Sequence, residues 1–231
     1  MLSELRVKLL ECLYRKALKN KSFSVISNNC WAGIMYSHLG LPYNTPFVGL
    51  FIMAPDYIKL LKNLDVIYAD FKFIKYSESK YVDFLDKKNY PIGVLPGDIE
   101  IHFLHYKSDE EALVKWKRRL KRLNMQNLII KNCEQNLCTP DIIREFDKLP
   151  FKNKVCFTNH NYPGFKSCVW LREQARLPYV QNCWLISNKY WNLIKKANSV
   201  QGYKTGLFSK ISLYIADRLL AYESKFAKYK L

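Results

Sequence analysis

Apolar residues recur at helical intervals through Leu2, Leu5, Leu9, Leu10, Leu13 and Leu18, so residues 3–19 predict an amphipathic helix. Its other face is mostly Lys and Arg. The short apolar run Phe23–Ile26 predicts a buried strand, Ser27, Asn28, Asn29 and Cys30 a turn, and Trp31–Leu39 a helix ended by Gly40. A second apolar run, PFVGLFI, precedes PDYIKLLKNL, a helix opened by Pro55 at its first turn. FKFIKY alternates as a strand does. YPIGVL and IEIHFLHY predict two neighbouring strands joined by a PGD turn. Ser108 then stands as an N-cap with Glu111 in the capping-box position, opening the helix EEALVKWKRRLKRL. Acid sits at that helix's start and base at its end, as the helix dipole favours. NLIIK, TPDIIREFDKL and KVCFTN continue as strand, helix and strand.

This alternation predicts an α/β fold of three layers, with a largely parallel or mixed sheet, flanking helices and a helical C-terminal segment. SNKYWNLIKKAN and SKISLYIADRLLAYESKFAKY predict two helices joined around Gly202–Gly206. No repeat or break in composition divides the 231 residues, so the reading is one domain over 1–231, with an amphipathic helix at 1–20 and a basic helical segment at 187–231.

Composition sharpens the picture. Hydrophobic residues make up 49% of the chain, enough for a core, and the net charge of +17 calls for a polyanionic partner. Nucleic acid, an anionic membrane leaflet and phosphorylated substrates all qualify, and no zinc-finger spacing or RNA-recognition signature points to specific nucleic acid. The seven cysteines lack CxxC pairing, and the N-terminus lacks a continuous apolar signal region, so a reducing cytoplasm is expected. No stretch approaches a membrane span, so membrane contact would be peripheral, on the inner face.

Three stretches carry a resemblance: ISNNCWAG at 26–33, LGLPYNTPFVGLFI at 39–52 and YPIGVLPGDIEIHFLHYKSDEEALVKWKRRLKRLN at 90–124. They resemble the bacterial exopolysaccharide-biosynthesis family, also designated domain-of-unknown-function family nineteen-nineteen. The likeness weakens through 149–171 and covers roughly two thirds of the chain. It implies a cytoplasmic α/β protein acting in capsule, exopolysaccharide or lipopolysaccharide assembly, and brings no settled chemistry with it.

The candidate chemistry gathers at strand ends, where open α/β sheets collect ligands. Cys30 stands where a helix begins, a place that lowers a thiol pKa and suits a nucleophile, with His102 or His105 as its base. A small buried thiol filling a gap is the alternative. Asn28 and Asn29 would offer amides to a nucleotide or sugar hydroxyl, or simply make the turn. Strand alternation puts Asp98, Glu100, His102 and Leu104 on one face and Ile99, Ile101, Phe103 and His105 on the other. Glu100 with His102 would then be a general-base pair, or Asp98 with His102 would hold a divalent metal carrying a diphosphate. His105 and Tyr106 lie at the strand end leading into the Ser108 helix. Among Lys115, Lys117, Arg118, Arg119, Lys121 and Arg122, Lys115, Arg118 and Arg119 are candidates to grip phosphate, against the commoner role of a solvated face. From Lys189 to Lys230 nine Lys or Arg face two acids and interleave with Ile211, Leu213, Tyr214, Ile215, Leu219, Leu220, Tyr222 and Phe226, a pattern that suits an anionic leaflet.

The leading expectation is a glycosyltransferase-like transferase moving a sugar from a nucleotide-sugar or other phosphate-activated donor to a lipid-linked glycan. The rivals are an acyl or other group transferase using Cys30, and a non-catalytic polyanion-binding module. The expectation has a spatial form: the Asn-Asn-Cys corner and the imidazoles of the later strand share one cavity rimmed by cations.

Overall fold

The computed structural model describes residues 2–86, 89–184, 186–200, 202–203 and 207–226. Its helices are α1 (Leu2–Ala17), α2 (Trp31–Leu39), α3 (Ala54–Lys62), α4 (Asp109–Leu120), α5 (Pro140–Lys148), α6 (Ser187–Tyr190), α7 (Leu193–Val200) and α8 (Leu207–Phe226). The strands are β1 (Ser24–Ser27), β2 (Lys72–Ile74), β3 (Ile92–Leu95), β4 (Ile99–His102), β5 (Leu128–Cys133), β6 (Lys154–Thr158) and β7 (Cys168–Trp170).

Four strands form an all-parallel sheet in the order β1-β5-β6-β7. Because side chains alternate across a strand, its apolar residues divide between two cores. Val25, Ile129, Val155 and Phe157 face α1, α2, α7 and α8 through residues such as Leu10, Trp31, Ile194 and Leu213. Ile26, Ile130 and Cys156 face α3, α4 and α5 through Tyr57, Trp116 and Phe146. The sheet is thus sandwiched between helices, and the α/β class read from the sequence holds.

The remaining strands form a second, antiparallel sheet in the order β2-β3-β4. Gly97 and Asp98 take positive φ of 83° and 59° in the three-residue turn Pro96–Asp98 that joins β3 to β4. A bridge between Phe51 and His102 is where the run PFVGLFI, otherwise irregular here, touches that sheet. The run stays close to α2: a Cβ on Gly33 would come within 2.8 Å of Val48 Cγ1, so glycine there lets loop and helix meet.

Local signals explain several boundaries. Gly40 closes α2 at φ 64°, and the Ser108 hydroxyl accepts from Glu111 N–H at the start of α4. The Glu111 carboxylate reaches Lys107 N–H rather than closing a full capping box. Strand β7 lies in a stretch that predicted no strand, SCVWL. The helical C-terminal segment comprises α6, α7 and α8, and no described helix is long and apolar enough to cross a membrane. Part of the joint expected at 202–206, and the side chains of Leu219, Leu220, Tyr222 and Phe226, lie outside the described residues.

Candidate functional site

The carboxyl end of β1 runs into Asn28, Asn29 and Cys30 and then directly into α2. The neighbouring strand β5 sends a lysine to this corner. Lys131 is wholly buried, and its ammonium donates to Asn28 Oδ1 at 3.2 Å and Asn29 Oδ1 at 2.9 Å. Asn29 Oδ1 also accepts from Trp31 N–H at 3.1 Å, and Asn29 Nδ2 donates to Cys133 Sγ at 3.2 Å. Both amides therefore turn their carbonyl oxygens inward, and Asn28 is fully enclosed. Among the described residues Lys131 has no carboxylate partner, an uncommon state for a buried cation.

Cys30 Sγ lies 3.6 Å from Leu50 O. Burial pushes its thiol pKa up, and the Lys131 charge only partly offsets this. The turn thus favours the neutral thiol, contrary to the lowered pKa that its place at a helix start predicts.

Asn29, Cys30 and Trp31 open onto a cavity of about 480 Å³ at the carboxyl edge of β1 and β5. Its wall combines aromatic faces (Trp31, Phe51, Phe84, Tyr90, Tyr179 and Trp184) with the amides of Asn29, Gln135, Asn136 and Asn182 and the carboxylate of Asp86. Phe84 and Tyr179 remain 63% and 50% exposed at this cavity. Asn136 and Asn182 hold positive φ of 54° and 38°, a backbone cost that concentrates where a surface is being shaped. Burial first, then Tyr76, Asp86 and Glu100, pushes the Tyr90 hydroxyl up to about 12.

Several expected site residues lie elsewhere. Among the described residues lining the cavity there is no His, Lys or Arg, so the shared, cation-rimmed pocket expected from sequence is not the arrangement found. His102 is wholly buried, lies flat against Phe51 and has Glu100 Oε2 3.5 Å from its Nε2. The Glu100–His102 neighbourhood predicted by strand alternation is real, but it is enclosed. Glu100 accepts from Ser79 Oγ at 2.6 Å and Lys80 N–H at 2.9 Å. Asp98 leaves the strand face because it sits in the turn, where Lys80 Nζ bonds it at 2.8 Å. The face predicted to continue through Leu104 stops because β4 ends at His102. His105 is exposed beside Gly49, and Tyr106 is buried with its hydroxyl donating to Val48 O at 2.5 Å. Among the described residues no group of three ligands suited to a metal exists.

The basic run of α4 is divided by its surroundings. Lys115 pairs with Glu111, Lys117 with Asp70, and Arg122 bonds Tyr43 O. Arg119 is buried over Tyr43 and hydrogen-bonds the Tyr106 hydroxyl. Arg118 projects from the exposed side of the helix.

One constellation escaped the sequence reading. Glu134 follows β5 directly, and its nearly buried carboxylate accepts from Asn159 N–H at 3.0 Å and His160 N–H at 3.1 Å. Its Oε1 lies 2.8 Å from His160 Nδ1 and 2.6 Å from the Tyr162 hydroxyl. A buried carboxylate thereby orients an imidazole that is 60% exposed, at the carboxyl ends of β5 and β6. The signal available was position alone, two polar residues just past predicted strands.

The family model for the domain of unknown function DUF1919 matches residues 1–203. An uncharacterized protein of Haemophilus influenzae is 37% identical over 158 residues, covering 68% of this chain and 72% of that protein.

Proposed function

The chain belongs to the DUF1919 family, and from the cavity described above we propose that it is a transferase that takes a sugar from a phosphate-activated donor and places it on a glycan hydroxyl. The cavity wall carries this reading. Aromatic faces suit the C–H faces of a sugar ring, while the amides of Gln135, Asn136 and Asn182 and the Asp86 carboxylate suit its hydroxyls. Exposed Phe84 and Tyr179 would gain by being covered.

The charge distribution supports a donor carrying phosphate. The unneutralised Lys131 ammonium lies behind Asn29. Its charge favours an anionic leaving group at that end. In the transfer, a bond forms between the acceptor oxygen and the anomeric carbon as the bond from that carbon to the phosphate oxygen breaks. The acceptor proton passes to Asp86, the carboxylate among the described lining residues, and the nucleoside diphosphate departs with the electron pair.

The same protein would serve exopolysaccharide, capsule or lipopolysaccharide assembly at the inner face of the membrane, with a lipid-linked glycan as acceptor. Covalent catalysis by Cys30 has less support, because its thiol is raised by burial and the described cavity wall lacks an imidazole. Deleting the gene and analysing the surface glycan tests the reading. A shortened polymer or a missing sugar is expected, and a polymer of unchanged composition and length would overturn it.

A further inference from the structure

Helix α8 is apolar on two opposite sides. Leu213 and Ala216 are buried in the core shared with α1, and Ser209 is buried one turn earlier on the same side. About half a turn around the helix, Leu207, Phe208, Ile211, Tyr214 and Ile215 form a second row that faces outward, with Phe208 85% and Leu207 71% exposed. Helix α1, packed against α8, adds exposed Leu5 and Leu9. Open apolar side chains on two packed helices mark an interaction face.

Its charges identify the partner. Lys210 and Arg218 stand on the open side of α8, and Lys8 on that of α1, none with an ion pair among the described residues. Arg218 lies over the Tyr214 ring at 5.3 Å, so cation and apolar row are interleaved. A second copy of the chain would set these like charges against each other across a two-fold interface, on a protein whose net charge is already +17. An anionic lipid surface instead takes the rings and aliphatic chains into its headgroup boundary and pairs the cations with phosphates.

We infer that the α1–α8 face docks this protein in the plane of an anionic bilayer, independently of what the cavity binds. Because no described helix is suited to span the bilayer, the contact is interfacial and reversible. Flotation of the full chain with vesicles of phosphatidylcholine alone, and of phosphatidylcholine mixed with phosphatidylglycerol, tests this. The protein is expected to float with the anionic vesicles and to stay behind with the neutral ones. The double variant Leu207→Glu, Phe208→Glu, at positions too exposed to disturb the core, is expected to lower partitioning at least about tenfold with its circular dichroism unchanged. Failure to float with anionic vesicles, equal flotation of the double variant, or self-association that this variant abolishes would each overturn the inference.

Discussion

Phe51 lies flat on His102, with ring centroids 4.6 Å apart and planes 9° from parallel, and so stands between the imidazole and the cavity that Phe51 itself lines. His102 is thereby a core residue one ring removed from the cavity wall. Burial first, and then the Lys80 charge, lowers its pKa to about 4.

The pH dependence of stability follows from that shift. An unfolded histidine titrates near 6.5, so between about 6.5 and about 4 the unfolded chain binds the proton and the folded chain does not. Stability contributed by neutral His102 is therefore complete above the unfolded pKa and is lost as pH falls through this window, by about 3 kcal/mol at most. Urea unfolding at several pH values should show the loss in the parent protein and a flatter profile in His102→Gln. In Phe51→Ala, proton NMR should find the His102 pKa moved up toward the ordinary value, because the ring that excludes water is gone.

Lys131 separates stability from binding. Replacing it by Met removes a buried charge while Asn29 Oδ1 keeps Trp31 N–H and Asn28 Oδ1 keeps the Cys133 thiol. Lys131→Met should therefore change unfolding free energy by no more than about 2 kcal/mol. Affinity for a nucleoside diphosphate should fall about tenfold, because the ammonium lies behind Asn29 at the end of the cavity proposed to take the donor phosphate. Calorimetric titration beside thermal melting reads both quantities.

Cys30 should behave as a resting thiol. Alkylation followed by mass spectrometry is expected to label exposed Cys12 first, with Cys30 reacting appreciably only as pH rises into the alkaline range. Cys30→Ser should keep full transfer activity, and loss of activity would revive the covalent route.

Asp86 is assigned the acceptor proton. Asp86→Asn should lower kcat by about 100-fold or more while donor KM stays within about threefold, the pattern of a group needed in the transition state rather than in binding. An unchanged kcat in Asp86→Asn would remove that carboxylate from the proton step.

Much of the framework was legible because it is written locally. Phe23–Ile26 followed by the Asn-Asn-Cys turn and the Trp31 helix is one strand–turn–helix unit in both sequence and structure, and Gly40 and Ser108 end and begin helices as their chemistry dictates. The site was legible only in part. Asn29 and Cys30 sit at a strand end, a property of their own segment, and they line the cavity. The placements of His102 and His105 depend on where β4 stops and on what Phe51 covers, which alternation along one strand does not encode. Lys131, Asp86 and Tyr179 reach the corner or the cavity from distant segments, and no local pattern announces them.

The central claim is that the aromatic and amide wall holds a sugar on an activated phosphate. Titrating the full chain by calorimetry with uridine and guanosine diphosphate sugars tests it most directly, beside Phe84→Ala and Tyr179→Ala, whose exposed side chains leave the fold intact. The account predicts saturable binding of at least one donor, weakened about tenfold in each variant. Absence of saturable binding by every donor, or binding that neither variant alters, would contradict it.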